Sequence, residues 1–267
     1  MTPDSNPNFF HIAIKENFPD ATNICTPQEC SPHKPIFLAD THKYGQIICK
    51  FVDPRLAVRD KSLSEKLVDN GIPVPKIKTC EYLAQWYEVY KYNPNQTLEQ
   101  HIKNHLDEDK IFEAYKQTLN IQAKLSERTL DDIDYSFGRY FYEVYKVSKT
   151  TARPKVLFDA IIKIISQFHN VHLVHCDLHP GNIICNNNGE LDQIIDVAGI
   201  ALASEEFAML SLLDNFPLPD LSEELMDYYD KITHRKLDRK FIRAGLKFRA
   251  LQKRVREYKA HIKNKLK

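Results

Sequence analysis

The stretch His172-Leu173-Val174-His175-Cys176-Asp177-Leu178-His179-Pro180-Gly181-Asn182-Ile183-Ile184-Cys185 decides how this chain is read. It contains the pattern H-x-D-x-x-x-x-N, with Asp177 and Asn182 five residues apart and apolar runs on either side. Beyond an Asn188-Gly189 pair, which predicts a type I′ hairpin turn, comes Ile194-Ile195-Asp196-Val197-Ala198-Gly199. Two apolar strands joined by a tight turn bring the end of the second beside the start of the first. Asp177, Asn182 and Asp196 are therefore expected at one edge. Just upstream, Leu157, Ile161, Ile164 and Phe168 fall on one helical face and predict a buried helix over 155–169.

Such a set has a chemistry. A carboxylate that orients a hydroxyl, with an amide and a second carboxylate to hold Mg2+, is what phosphoryl transfer from ATP requires, because that reaction needs positioning and charge neutralisation more than covalent help. Magnesium takes oxygen ligands and keeps several waters, so two protein oxygens plus nucleotide phosphates suffice.

Composition narrows the alternatives. The 267 residues suffice for two lobes, and hydrophobic (43%) and charged (27%) fractions near the globular average argue against disorder and a membrane-embedded body. Only seven glycines occur, none closer than Gly181 and Gly189, which disfavours both G-x-G-x-x-G and Walker A phosphate loops. No apolar run reaches the ~20 residues of a membrane span. The six cysteines show no metal-like spacing, and Met1–Pro7 does not read as a signal peptide, so a reducing cytoplasm is expected. The net charge of +1 hides an asymmetry, with fifteen Lys and Arg against Asp238 and Glu257 over residues 231–267. A basic end on an acidic body suits an anionic partner such as a lipid surface.

Along the chain, residues 1–22 read as a flexible N-terminal segment. Residues 23–92 are β-rich: strands are predicted at Ile36–Ala39, Gln46–Val52, Ile77–Leu83 and Trp86–Tyr92, with a helix over 59–69 closed by Gly71. Helical patterns dominate 93–267. A small β lobe followed by a larger helical lobe is an α+β architecture.

The string at 175–182 and the later Asp196 resemble the eukaryotic-like kinase superfamily, and the resemblance implies a two-lobed protein-kinase-like fold. It implies Asp177 as catalytic base, His175 as support of the loop, and Asn182 and Asp196 as Mg2+ ligands. Lys50, in an apolar strand, takes the place of the lysine that binds the ATP phosphates, and Glu65 that of its helix partner. Val89–Tyr92, with Tyr90, resembles the interlobe segment that binds adenine. The phosphate loop falls on Thr26–Lys34 and holds no glycine.

Departures from protein kinases choose among branches. His179 stands where those enzymes place lysine, and no A-P-E follows Asp196. The string H-x-D-L-H-P-G-N is similar to aminoglycoside and choline phosphotransferases, while Ile194–Ile200 and Asp238–Ala244 are more similar to bacterial lipopolysaccharide-core kinases. The resemblance thus implies transfer to a sugar hydroxyl, foremost in a lipopolysaccharide core. A small-molecule kinase, a protein kinase and a pseudokinase are the alternatives. The basic helix from about 238, with Phe241, Phe248, Val255 and Ile262 seven apart, implies peripheral contact with the inner face of an anionic inner membrane. Nucleic acid is disfavoured, since no base-reading module is present.

Overall fold

Alternating apolar residues between Thr22 and Lys91 build one antiparallel sheet. The computed structural model describes residues 7–27, 36–128, 172–247, 249–250 and 253–254. The expected helix over 155–169, the aromatic stretch Tyr135–Tyr145, most of the phosphate loop and the end of the basic helix lie outside the described residues. The chain divides into two compact units, Met1–Asn95 with Gln193–Ala198, and Gln96–Asp192 with Gly199–Lys267. The sequence led us to expect contiguous lobes at 23–92 and 93–267, whereas the Asp196 segment returns to the first unit.

In the first unit, β1 (Thr22–Cys25), β2 (Ile36–Thr41), β3 (Gly45–Val52), β4 (Lys78–Tyr82) and β5 (Gln85–Lys91) pair in the order β1-β2-β3-β5-β4. The β2–β3 turn is closed by the Thr41 hydroxyl, which donates to the Gly45 carbonyl and accepts from the Tyr44 N–H. One sheet face carries Phe37, Ala39, Ile47, Cys49, Tyr87 and Val89. Helix α1 (Pro7–Asn17) covers it with Phe10 and Ile14, and Phe18 follows in the same cluster. This corrects the expectation of a flexible start: Phe10, Ala13, Ile14 and Phe18 recur at helical spacing, and burying them outweighs the ordering cost.

Against the opposite face lies α2 (Pro54–Asp69), five residues longer at its start than the sequence pattern predicted. Asp53 caps it by accepting from the Arg55 N–H, and Pro54 occupies the first turn, where no N–H is needed. It ends in a Schellman motif: Gly71 has φ +72°, the Ile72 N–H donates to the Leu67 carbonyl and the Gly71 N–H to Val68. Ala57, Asp60, Leu63, Ser64 and Leu67 form its buried stripe. Residues 193–198 join this unit through the Ile194 N–H on the Pro73 carbonyl (2.8 Å) and Arg59 Nη1 on the Ala198 carbonyl (3.5 Å).

The second unit holds β6 (Gln96–Thr97), α3 (Leu98–Lys103), α4 (Glu108–Ser126), β7 (His172–His175), β8 (Ile183–Cys185), β9 (Leu191–Ile194, which leads back to the first unit), β10 (Ile200–Ala203), α5 (Glu205–Leu213) and α6 (Ser222–Thr233). Strands β7 and β10 pair antiparallel, with Ile200 opposite His175 and Ala203 opposite His172. Helix α4 packs on β7 and α6, its Tyr115 ring 4.7 Å from that of Phe216. The type I′ turn expected at Asn188-Gly189 is not formed. Instead the Gly189 N–H donates to the Asn186 carbonyl, and of these residues only Gly189 has positive φ, because the Asn186 side chain accepts from the Asn188 and Glu190 N–H groups and shapes a longer loop.

Residues 239–247 are helical and seated on the second unit. Ile242 is fully buried, Phe241 meets the Phe207 ring at 5.5 Å, and Arg239 reaches Asp227 and Asp230 at 2.8 and 2.9 Å. Cys25, Cys49, Cys80, Cys176 and Cys185 are free thiols. Among the described residues no helix is long and apolar enough to cross a membrane.

Candidate active site

The loop after β7 is built around one fully buried ring. His175 hangs from α4, its N–H donating to Gln122 Oε1 at 3.0 Å, and its Nδ1 accepts the Asp177 N–H at 3.2 Å. Nδ1 is thus an acceptor, which places the ring proton on Nε2. Gly199 lies close against this ring: a β-carbon there would stand 2.8 Å from His175 Cε1. The chain is pinned here as well, by the Cys176 N–H on the Gly199 carbonyl at 2.8 Å.

The Asp177 carbonyl then receives two donors, the His179 N–H at 3.0 Å and Asn182 Nδ2 at 2.8 Å. A carbonyl oxygen can only accept, so Asn182 presents its Nδ2 to it; this orients the amide and leaves Oδ1 as the acceptor atom. Among the described residues the Asp177 carboxylate makes no hydrogen bond or ion pair. The backbone of Asp177 is clamped while its carboxylate remains available. His179 uses Nδ1 to accept the Gly181 N–H at 3.1 Å, so the histidine that replaces lysine shapes the turn.

In the first unit, Lys50 Nζ lies 2.7 Å from Asp196 Oδ1 and 3.7 Å from Glu88 Oε2. These residues meet for separate reasons. Lys50 and Glu88 stand directly opposite in the β3–β5 pair and share a sheet face, whereas Asp196 arrives on the returning segment with φ +59°. Burial pushes the Lys50 ammonium down, but the carboxylates of Asp196 and Glu88 outweigh it and hold the group above the usual lysine value. Asp60, 1% exposed on the buried stripe of α2, completes the group beside Arg59 Nη1 at 3.6 Å. Burial raises the Asp60 carboxyl, an effect Arg59 partly offsets. Burial likewise pushes Glu88 up to about 8 against the pull of Lys50, with Asp60 adding to the rise.

One sequence expectation needs correction. Glu65 is not the partner of Lys50: it sits half-buried on α2, and the ion partners of Lys50 among the described residues are Asp196 and Glu88. Asp60 holds the inward position because it lies three residues from both Ala57 and Leu63, a spacing visible in the sequence. Tyr90 pairs with Ile48 inside β5, within the strand expected at Trp86–Tyr92.

A third group lies at the start of β7. Glu205 is buried, accepts the Tyr229 hydroxyl at 2.7 Å and pairs with Arg235 Nη2 at 2.7 Å. Arg235 in turn donates to Ser126 Oγ at 2.6 Å and stands 3.4 Å from His172 Nδ1, bracing the start of β7.

Neither a family model nor any curated protein matches this sequence. Solved structures do match. An aminoglycoside-3′-phosphotransferase of type VIII superposes with a TM-score of 0.69 at 12% identity, over 90% of this chain and 96% of that one. The fold is protein-kinase-like. An amicoumacin kinase in complex with AMP-PNP and Ca2+ gives a TM-score of 0.62 at 17% identity, over 92% of this chain and 84% of that one. A choline kinase from Streptococcus pneumoniae gives 0.60 at 16% identity, over 90% and 85% of the two chains. Each unit by itself offers chemistry that suits ATP with magnesium: the first a lysine ammonium in Lys50 beside the Asp196 carboxylate, the second an oriented amide oxygen in Asn182 and the Asp177 carboxylate.

Proposed function

We propose that this protein is an ATP- and Mg2+-dependent phosphotransferase that carries the γ-phosphate to a hydroxyl group. The observation that carries the reading is the 2.7 Å contact of Lys50 with Asp196, a half-buried lysine meeting a carboxylate 146 residues away. ATP with Mg2+ supplies the transferable phosphoryl group and neutralises its charge. Lys50 holds the phosphates, and Asp196 and Asn182 Oδ1 offer oxygen to the metal. Asp177 takes the acceptor hydroxyl's proton, its backbone fixed by His175, His179 and Asn182. Asp177→Ala is expected to abolish transfer while ATP still raises the melting temperature. Near wild-type turnover in that variant would remove the base from the reading.

The acceptor we propose is a sugar hydroxyl of a lipopolysaccharide core, on the similarity of Ile194–Ile200 and Asp238–Ala244 to kinases of that class. A soluble small molecule is the second reading. It is supported by the engagement of Arg239, Arg243 and Arg249 with Asp227, Asp230, Glu223 and Asp214, which commits the start of the basic segment to packing. Incubating ATP and protein with lipopolysaccharide core, with aminoglycosides and with choline, then reading the mass shift of each, separates the two.

Peripheral docking on an anionic membrane is proposed for the farther part of that segment, where Lys253 and Arg254 are exposed. Deleting 251–267 is expected to abolish co-sedimentation with anionic vesicles and to leave turnover of a soluble acceptor intact. Unchanged sedimentation would rule out this role for the segment.

A further inference from the structure

The first unit buries an acidic pair that the proposed chemistry does not itself require. Glu88 is 2% and Asp60 1% exposed, and neither Asp60 oxygen nor Glu88 Oε1 meets an N–H or hydroxyl donor. Arg59 Nη1 stands 3.6 Å from Asp60 and Lys50 Nζ 3.7 Å from Glu88, both beyond hydrogen-bond distance, so two adjoining carboxylates in so dry a place do not both stay ionised, and the stable arrangement is one proton held between them. Their elements make the meeting unavoidable. Glu88 projects from β5 on the face that Lys50 shares, and α2 packs against β5 with Asp60 on its buried stripe. Glu88 Oε2 then faces Lys50 at 3.7 Å, and the Glu88 and Asp60 carboxyl groups lie within hydrogen-bond reach of each other.

We propose that Glu88 and Asp60 are the positioning residues of Lys50: Glu88 orients the ammonium from the strand, and Asp60 fixes Glu88 through the shared proton. The pair does from β5 and α2 together what the sequence assigned to Glu65. It carries a single negative charge, so Lys50 keeps a support that does not depend on Asp196. That independence matters under the phosphotransferase reading, on which this inference rests, because there Asp196 is required by the metal.

The test uses the full-length protein with two readouts. One is the KM for ATP against kcat. The other is the rate at which an amine-reactive acylating reagent modifies Lys50, followed by peptide mass spectrometry, which needs no enzymatic activity. Glu88→Gln keeps the shape and mimics the protonated partner, so both readouts should stay within about threefold of wild type. Glu88→Leu should raise the KM for ATP and the Lys50 labelling rate about tenfold or more with a smaller change in kcat, and Glu65→Gln should change neither. In the double variant Glu88→Leu/Asp60→Leu, labelling should be no faster than in Glu88→Leu alone, because Asp60 acts through Glu88. Multiplying effects, a Glu65→Gln effect as large as that of Glu88→Leu, or unchanged labelling in a folded Glu88→Leu would overturn the proposal. If wild type neither binds nor turns over ATP, the phosphotransferase reading fails while the labelling data still judge the brace. Should Glu88→Leu not fold, Asp60→Leu takes its place: it should raise labelling by the same route, and unchanged labelling there refutes the pair.

Discussion

Gly199→Ala adds a single methyl group, and the structure says where it goes. The new carbon would lie 2.8 Å from His175 Cε1, 3.1 Å from Nδ1 and 3.2 Å from the Asp177 β-carbon. Carbon–carbon contacts become comfortable only from about 3.5 Å. Gly199 does not have a positive φ, so alanine fits its backbone and the whole effect comes from the contact. The ring has nowhere to retreat, being fully buried and tied to the Asp177 N–H and, through the backbone, to Gln122. Overpacking of this kind costs about 1–3 kcal/mol. For a chain of this size that lowers Tm by about 2–10 °C. Moving His175 also moves the Asp177 clamp, and displacements well under an ångström there should lower turnover about tenfold or more. Thermal melting and steady-state ADP release, measured on the same preparation with saturating ATP, read both effects. A variant that melts within about 1 °C of wild type and turns over normally would refute the claim that ring and glycine hold the loop.

Gly71→Ala is the counterpart, since a β-carbon there meets nothing within 4 Å but φ is +72°. Melting should fall by about 1–2 kcal/mol of stability from backbone strain alone, with turnover unchanged. Phe10→Ala removes a ring lying 4.5 Å from Phe51 and 5.2 Å from Phe37, and chemical denaturation should show a loss of about 3–5 kcal/mol; a loss below about 1 kcal/mol would take α1 out of the core. Glu88 is pushed up to about 8 by burial from an ordinary 4.5, so the folded chain binds this proton more tightly than the unfolded one. Its contribution to stability is present below the ordinary value and is lost as pH rises towards 8. Melting temperature should therefore fall between about pH 5 and pH 8, and Glu88→Gln should flatten that slope.

Much of this was legible in the chain. The apolar alternation of Phe37–Ala39, Ile47–Cys49 and Tyr87–Val89 announced the sheet, because a half-buried strand repeats every two residues. Gly71 announced the end of α2, since only a residue tolerant of positive φ closes a helix in that way. Asp60 was legible in principle from its place in the apolar stripe, whereas the resemblance, which weighs residue type and order above helical phase, points to Glu65. The packing of α1 was obscured by its polar, proline-containing surroundings.

The order and spacing of Asp177, Asn182 and Asp196 were set by the sequence alone, and with them the class of chemistry we propose. Local backbone rules suffice for that, because a loop of five residues and a short hairpin leave few conformations open. The partner of Lys50 was decided only in three dimensions. Two carboxylates, on β5 and on a segment 146 residues downstream, reach one lysine, with a third on α2 beside the first of them, because sheet register and helix phase bring them there. No local pattern encodes which acid arrives, since burial acts on the assembled faces and the shared charge belongs to the group.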